Sequence, residues 1–362
     1  MIDCVTSSEV EPLAASTAAL AEAYDVALLD LDGVVYVGSD AVRGAAESLA
    51  AARAVGMRLA FVTNNAARPP VAVARHLTEL GVDAEPGEVV TSAQAAARYL
   101  GDLLQAGAPV LVVGTTGLDE ALTERGLRPV RSADDDPVAV VQGYSPTLDW
   151  ALLAEGCIAI RRGLPWVATN IDPTVPSPRG PLPGNGSLVA ALRYATGAQP
   201  VVTGKPDPAM HRESVRRSGA RSPIVVGDRL DTDIEGANAV GCPSLLVLTG
   251  VTDPTDLLRA EPRSRPTYLS ADLAGLLTAH PGVAVDDGTT RCGAWQAAAA
   301  AGGLELVSID GRDSGDGLDA LRALCAAAWW ALDSGAPVDH LGCVAGDDVA
   351  GIALERLALV PS

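Results

Sequence analysis

The sequence predicts an α/β protein: a doubly wound parallel sheet, a second α/β unit inserted in it, and a small α/β module after it. Three observations carry that expectation. Short, wholly apolar runs alternate with helix-like stretches, which is how parallel strands buried on both faces read. Strands alternating with helices imply right-handed crossovers and a parallel sheet. A chain of 362 residues is also too long for one typical core and calls for two or three domains.

The elements follow in order. Residues 1 to about 23 are mixed and rich in small side chains, as an arm or a short helix would be. Asp25-Val26-Ala27-Leu28-Leu29 is the first strand, Ala45 to Val55 a helix, and Arg58 to Val62 the second strand. Pro69-Pro70 opens the next helix, whose C-cap falls at Gly81. Val110 to Val113, Val138 to Val141 and Trp166 to Ala168 read as strands of a separate α/β unit. Gly180 to Gly186 has the Pro and Gly content of a hinge, and a helix from Ser187 to Ala195 returns the chain to the strand Val201-Val202. Beyond Lys205 come a helix, the strand Ile224 to Val226, another helix, the strand Leu245 to Leu248, and Tyr268-Leu269 as an edge strand. This is the order of a Rossmann-like core. The last stretch is Ala-rich, with Trp295, Trp329 and Trp330 and one strand-like run, Leu304 to Ile309.

Composition narrows the function. Apolar residues make up 48% and charged residues 20%, so real cores can form. Phe61 is the single phenylalanine, which leaves packing to Ala, Val and Leu. A net charge of −19 argues against nucleic acid or an anionic membrane as partner. Six scattered cysteines (Cys4, Cys157, Cys242, Cys292, Cys325, Cys343) form no metal-ligand pattern and read as small buried residues in a reducing compartment. No signal-peptide pattern opens the sequence, and Ala323 to Leu332 is shorter than the ~18 apolar residues of a membrane span. A soluble, cytoplasmic protein is expected.

Lys205 is the only lysine, all other basic residues being arginine. A position that keeps lysine in such a chain calls for a compact ammonium rather than a planar fork. It lies in Gly204-Lys205-Pro206, just past a strand. Three other strand ends carry polar groups: Asp30-Leu31-Asp32-Gly33, Thr63-Asn64-Asn65, and Gly227-Asp228 followed by Asp231 and Asp233. The sequence therefore predicts four core strands releasing functional groups at one sheet edge, where open α/β sheets bind ligands.

These groups have a chemical reading. Asp30 and Asp228 offer hard oxygen ligands for Mg²⁺, with Asp32 adding a backbone carbonyl. Thr63 and Lys205, with Asn64 beside them, would hold phosphate oxygens. Asp30 would attack phosphorus and Asp32 would serve as acid and then base. The expected partner is a small phosphorylated metabolite.

In these motifs the chain resembles the haloacid dehalogenase-like hydrolases, over roughly residues 24 to 280. The resemblance implies Asp30 as nucleophile, Asp32 as acid/base, Thr63 and Lys205 as phosphate anchors, Asp228 as metal ligand and Asp233 as a supporting carboxylate. With 141 residues between Thr63 and Lys205, the spacing is similar to members with a large α/β cap after the second motif. Thr63-Asn64-Asn65, Gly204-Lys205-Pro206 and Ala168 to Asp172 look like the branch holding phosphoglycolate, glycerol-phosphate and nitrophenyl-phosphate phosphatases. The division this implies is an arm 1–23, a core 24–82 and 184–280, a cap 83–183 and an extension 281–362. Glycerol 3-phosphate is the substrate the resemblance favours, with phosphoglycolate as alternative. Asn170, Asp172 and Arg179 are the specificity candidates, and relatives with this cap suggest a homodimer.

Other signals fail. Gly197 to Lys205 has the wrong spacing for a phosphate loop, and Pro206 stands where Ser or Thr is required. Asp134 to Asp136 reads as a solvated loop and His211 as structural. The extension resembles partial acetyltransferase domains but lacks their Gly-rich cofactor loop, which favours a structural role over an acyl-binding or regulatory one.

Overall fold

The computed structural model describes residues 13–175, 179–300, 303–310, 316–336 and 341–359. The expected arm falls largely outside the described residues, as does Cys4. The chain forms two compact units.

The first unit combines Met1–Val35, Val42–Arg58 and Arg221–Ser362. Strand Val26–Leu29, apolar and wholly buried, pairs in parallel with Pro223–Gly227. Ser244–Val247 follows in parallel, and Tyr268–Ser270 closes the edge as expected. Buried on both faces, Val26–Leu29 and Pro223–Gly227 have no polar side to show, hence their uninterrupted apolar runs.

The C-terminal stretch holds more strand than its sequence suggests. Ala284–Asp286, Thr289–Cys292, Trp295–Ala300 and Gly303–Ser308 form an antiparallel meander, and Cys343–Ala345 adds a parallel strand. One strand was expected there. Trp295–Ala300 ends in a run of alanines, residues that favour helix, yet it pairs residue for residue with Gly303–Ser308. Pairing and packing override intrinsic preference here. Helix Asp319–Asp333 packs on these strands, and its Leu321, Leu324 and Trp329 share one apolar cluster with Trp295, Leu246, Leu257 and Leu269. The module and the parallel sheet thus have a common core.

The second unit is Tyr36–Ala41 with Leu59–Ala220. Within it Phe61, Val62 and Thr63 pair in parallel with Val89–Thr91. A five-stranded parallel sheet runs in the order Val201–Val202, Trp166–Ala168, Ala139–Gln142, Pro109–Val113, Arg128–Val130. This corrects one expectation. The strand leading to Lys205 pairs with Trp166–Ala168, so the lysine leaves the sheet of the inserted unit rather than the sheet that ends in Asp30 and Asp228. A two-residue strand carries too little pattern to reveal its neighbour.

Among the described residues no helix is long and apolar enough to cross a membrane. The five described cysteines are free thiols, four of them buried.

Candidate active site

The first unit gathers the carboxylates. Asp30 follows strand Val26–Leu29, and its backbone N–H continues the ladder to Val226 O at 2.8 Å. Asp228 follows the partner strand and is fully buried. Asp233 lies in the tight helical turn Leu230–Ile234, also buried. One carboxylate oxygen from each of these three residues lies within 4.8 Å of the others.

Backbone groups orient the set. Val251 N–H donates to Asp228 Oδ2 at 2.7 Å, Thr252 N–H to Asp228 O at 3.1 Å, and Arg229 N–H to Asp233 Oδ2 at 3.3 Å. Thr249 Oγ1 donates to Gly33 O at 2.5 Å, tying the loop after Ser244–Val247 to the turn after Asp32. Gly33 has φ of +85°, and a β-carbon there would collide with the Asp228 carboxylate. Only glycine fits that turn.

Three carboxylates so close, two of them buried, form a set of hard oxygen donors that fits Mg²⁺. The sequence placed Asp233 behind the metal ligands; its carboxylate stands with those of Asp30 and Asp228. The Asp32 side chain is exposed and not among the three. Leu31 points into the core instead, fully buried, as strand alternation requires.

The second unit holds the remaining predicted residues. Thr63 is buried at the end of its strand, and its Oγ1 accepts from Asn65 N–H at 3.1 Å. Lys205 is 3% exposed, and Nζ donates to Val62 O at 3.3 Å. Asn64 binds both sides of the Lys205 backbone: Oδ1 accepts from Lys205 N–H at 2.8 Å, and Nδ2 donates to Lys205 O at 3.2 Å. Asn64 Nδ2 also faces the Asp172 carboxylate at 3.3 and 3.4 Å. Asn64 O accepts from Asn170 Nδ2 at 2.7 Å and from Ser92 Oγ at 2.5 Å. Arg179 is exposed.

His211 is buried on helix Pro208–Ser218. Burial, reinforced by the Lys205 ammonium, pushes its pKa down to about 3, so the ring is neutral at physiological pH. Asp134, Asp135 and Asp136 are exposed, as a solvated loop would be.

Sequence reasoning missed the backbone donors at Val251 and Thr252 and the bonds from Ser92 and from Asn185, whose Nδ2 donates to Asn170 O at 2.7 Å. Thr91 and Gln94 form a capping box at the helix start that carries Ser92, a signal readable in advance.

Comparison with known proteins agrees with this geometry. A haloacid dehalogenase-like hydrolase model matches residues 27–128, and a related hydrolase-like model matches 202–276. A GCN5-related N-acetyltransferase-like domain model matches 292–359. The chain is 48% identical to D-glycerol 3-phosphate phosphatase of Mycobacterium tuberculosis, over 95% of this chain and 96% of that one. It is 36% identical to the acid sugar phosphatase of Staphylococcus aureus, over 69% of this chain and 95% of that one. The crystal structure of the M. tuberculosis glycerol phosphate phosphatase in complex with magnesium superposes with a TM-score of 0.85 at 48% identity, covering 95% of this chain and all of that one. The chain belongs to the haloacid dehalogenase-like hydrolases and is a phosphatase of that family.

Proposed function

We propose that the chain is a magnesium-dependent phosphomonoester hydrolase that prefers glycerol 3-phosphate and works through an aspartyl-phosphate. The observation that carries the mechanism is the convergence of Asp30, Asp228 and Asp233 beside two paired parallel strands. Support for the substrate is the 48% identity to a D-glycerol 3-phosphate phosphatase along nearly the whole chain.

Asp30 and Asp228 would hold Mg²⁺ together with the Asp32 carbonyl, and Asp233 would support them. The bound ion supplies positive charge that lets an anionic nucleophile approach an anionic phosphate. Thr63 and Lys205 bind the non-bridging phosphate oxygens. An Asp30 carboxylate oxygen forms a bond to phosphorus as the ester P–O bond breaks. Asp32, whose side chain reaches solvent, gives its proton to the departing glycerol oxygen. It then takes a proton from the water that attacks phosphorus, which releases phosphate and restores Asp30.

On this reading the chain divides into the arm 1–23, the core 24–82 and 184–280, the cap 83–183 and the extension 281–362, with the strand Val201–Val202 of the second core segment adding to the cap's sheet. It works in the cytoplasm and pairs through its cap. The extension is structural, a role supported by the core it shares with Leu246, Leu257 and Leu269.

Phosphate release from glycerol 3-phosphate and 2-phosphoglycolate, with and without Mg²⁺, tests the proposal. Metal-dependent turnover favouring glycerol 3-phosphate is expected, with kcat lower by at least about a thousandfold in Asp30→Asn. Metal-independent turnover, or an Asp30→Asn enzyme of normal rate, would exclude the mechanism. A preference for 2-phosphoglycolate would reassign the substrate.

A further inference from the structure

Asp172 lies in the run Thr169 to Asp172, far in sequence from Lys205, yet a single side chain connects them. Asn64 Nδ2 faces both Asp172 carboxylate oxygens, while the same amide bonds Lys205 N–H and C=O. The bonds also fix which way the amide points. Oδ1 meets the Lys205 N–H donor, and Nδ2 meets two kinds of acceptor, the Lys205 carbonyl and the Asp172 carboxylate. A flipped amide would set donor against donor and oxygen against carboxylate.

Further bonds hold the clamp in place. Asn170 and Ser92 anchor the Asn64 carbonyl, Asn170 Oδ1 accepts from Asp172 N–H at 3.2 Å, and Gly186 N–H donates to Asp172 O at 2.8 Å. A β-carbon at Gly204 would press on Asn64 Oδ1 and Thr169 O, so glycine just before the lysine lets the amide approach. The Lys205 ammonium bonds Val62 O, two residues before Asn64, so both ends of the lysine are referred to one short segment.

We propose that Asn64 and Asp172 are positioning residues for Lys205, and that Asp172 governs affinity for the phosphoryl group rather than choice of alcohol. The proposal rests on the reading of Lys205 as a phosphate anchor. A shift of about 1 Å in such an anchor is enough for large losses in rate. Residue 172 therefore acts on every substrate alike.

The test uses the full chain with Mg²⁺ and measures kcat and KM for glycerol 3-phosphate and p-nitrophenyl phosphate, and inhibition by inorganic phosphate. Asp172→Ala is expected to weaken phosphate inhibition and to raise KM for both esters by a common factor of about ten. Asp172→Asn, which keeps one acceptor oxygen, is expected to lose less. In the Lys205→Ala background, Asp172→Ala is expected to add little. Ester-specific losses with unchanged phosphate inhibition would show Asp172 reading the alcohol and would overturn the proposal. Additive losses in the double variant would overturn it too. If Lys205→Ala alone leaves phosphate inhibition unchanged, the anchor reading itself fails, and the positioning role falls with it. Thermal unfolding of each variant checks that it folds, and Asp172→Asn carries the test if Asp172→Ala does not fold.

Discussion

Two acidic clusters in the first unit are built on opposite plans. At the strand ends, Asp30, Asp228 and Asp233 turn their carboxylates toward one another. In the C-terminal module, Asp316 and Asp319 turn theirs toward Arg322, which is 2% exposed and bonds them at 2.5 to 2.9 Å. Arg322 also donates to Leu269 O at 2.6 Å, joining the module to the edge strand of the parallel sheet. Gathering like charges raises the energy of a fold and suits a site for a cation; closing charges on a buried guanidinium satisfies them within the chain. The contrast separates a region built to bind from one built to hold.

Breaking each cluster sharpens the distinction. The largest effect expected is from Arg322→Met, which leaves Asp316 and Asp319 without their guanidinium. Removing one partner of a buried pair costs about 3–5 kcal/mol. The melting temperature should fall accordingly, while Mg²⁺ affinity and turnover of the folded enzyme at low temperature stay close to normal. Lost Mg²⁺ affinity at unchanged stability would reverse the assignment of the two clusters.

Gly33→Ala attacks the other plan. Its β-carbon displaces the Asp228 carboxylate in a backbone region that alanine disfavours. Mg²⁺ titration of activity should show affinity lower by about 10–100-fold, the scale of disturbing a ligand's surroundings. An unchanged titration would mean that Asp228 is not a ligand.

The smallest effect expected is with pH. His211 binds a proton near pH 6.5 when unfolded but only near 3 when folded, so the unfolded state takes up more protons between those values. Stability therefore falls as the pH drops through that window, by roughly 2 kcal/mol at pH 5. His280, also lowered by burial, adds to the same slope. Burial works to raise the Asp316 carboxyl, but the Arg322 guanidinium outweighs it and holds the pKa down; that contribution is lost only below about pH 4. Melting temperatures from pH 7 to 5 should decline less steeply in His211→Gln than in the parent. Equal slopes would show that His211 does not titrate as its burial requires.

The site was legible where its parts are contiguous. Asp30 to Gly33, Thr63 to Asn65 and Gly227 to Asp233 each place polar residues just past an apolar strand, a pattern visible in a window of ten residues. The link from Asp172 through Asn64 to Lys205 spans separations of 108 and 141 residues, and no local pattern encodes it. The placement of Val201–Val202 was hidden for the same reason: pairing partners are set by the tertiary fold. One hairpin of the module carried a local signal that the sequence reading passed over. Asp287-Gly288 joins paired strands through two residues of positive φ, the signature of a tight two-residue turn. The next strand, Trp295–Ala300, carried no such signal, because its alanines favour helix.

The shared core of the module and the parallel sheet bears on how such chains can be recombined. The acid sugar phosphatase of S. aureus matches about two thirds of this chain and nearly all of itself, so shorter members of the family exist. Here the face that stretch covers includes Leu246, Leu257 and Leu269, with Trp329 Nε1 bonded to Leu257 O at 3.0 Å and Arg265 lying over the Trp329 ring. Cutting after residue 280 would leave an oily wall facing water, prone to self-association. Grafting this phosphatase core into a shorter relative, or trimming it to one, requires repainting that wall with polar side chains before the scissors are used.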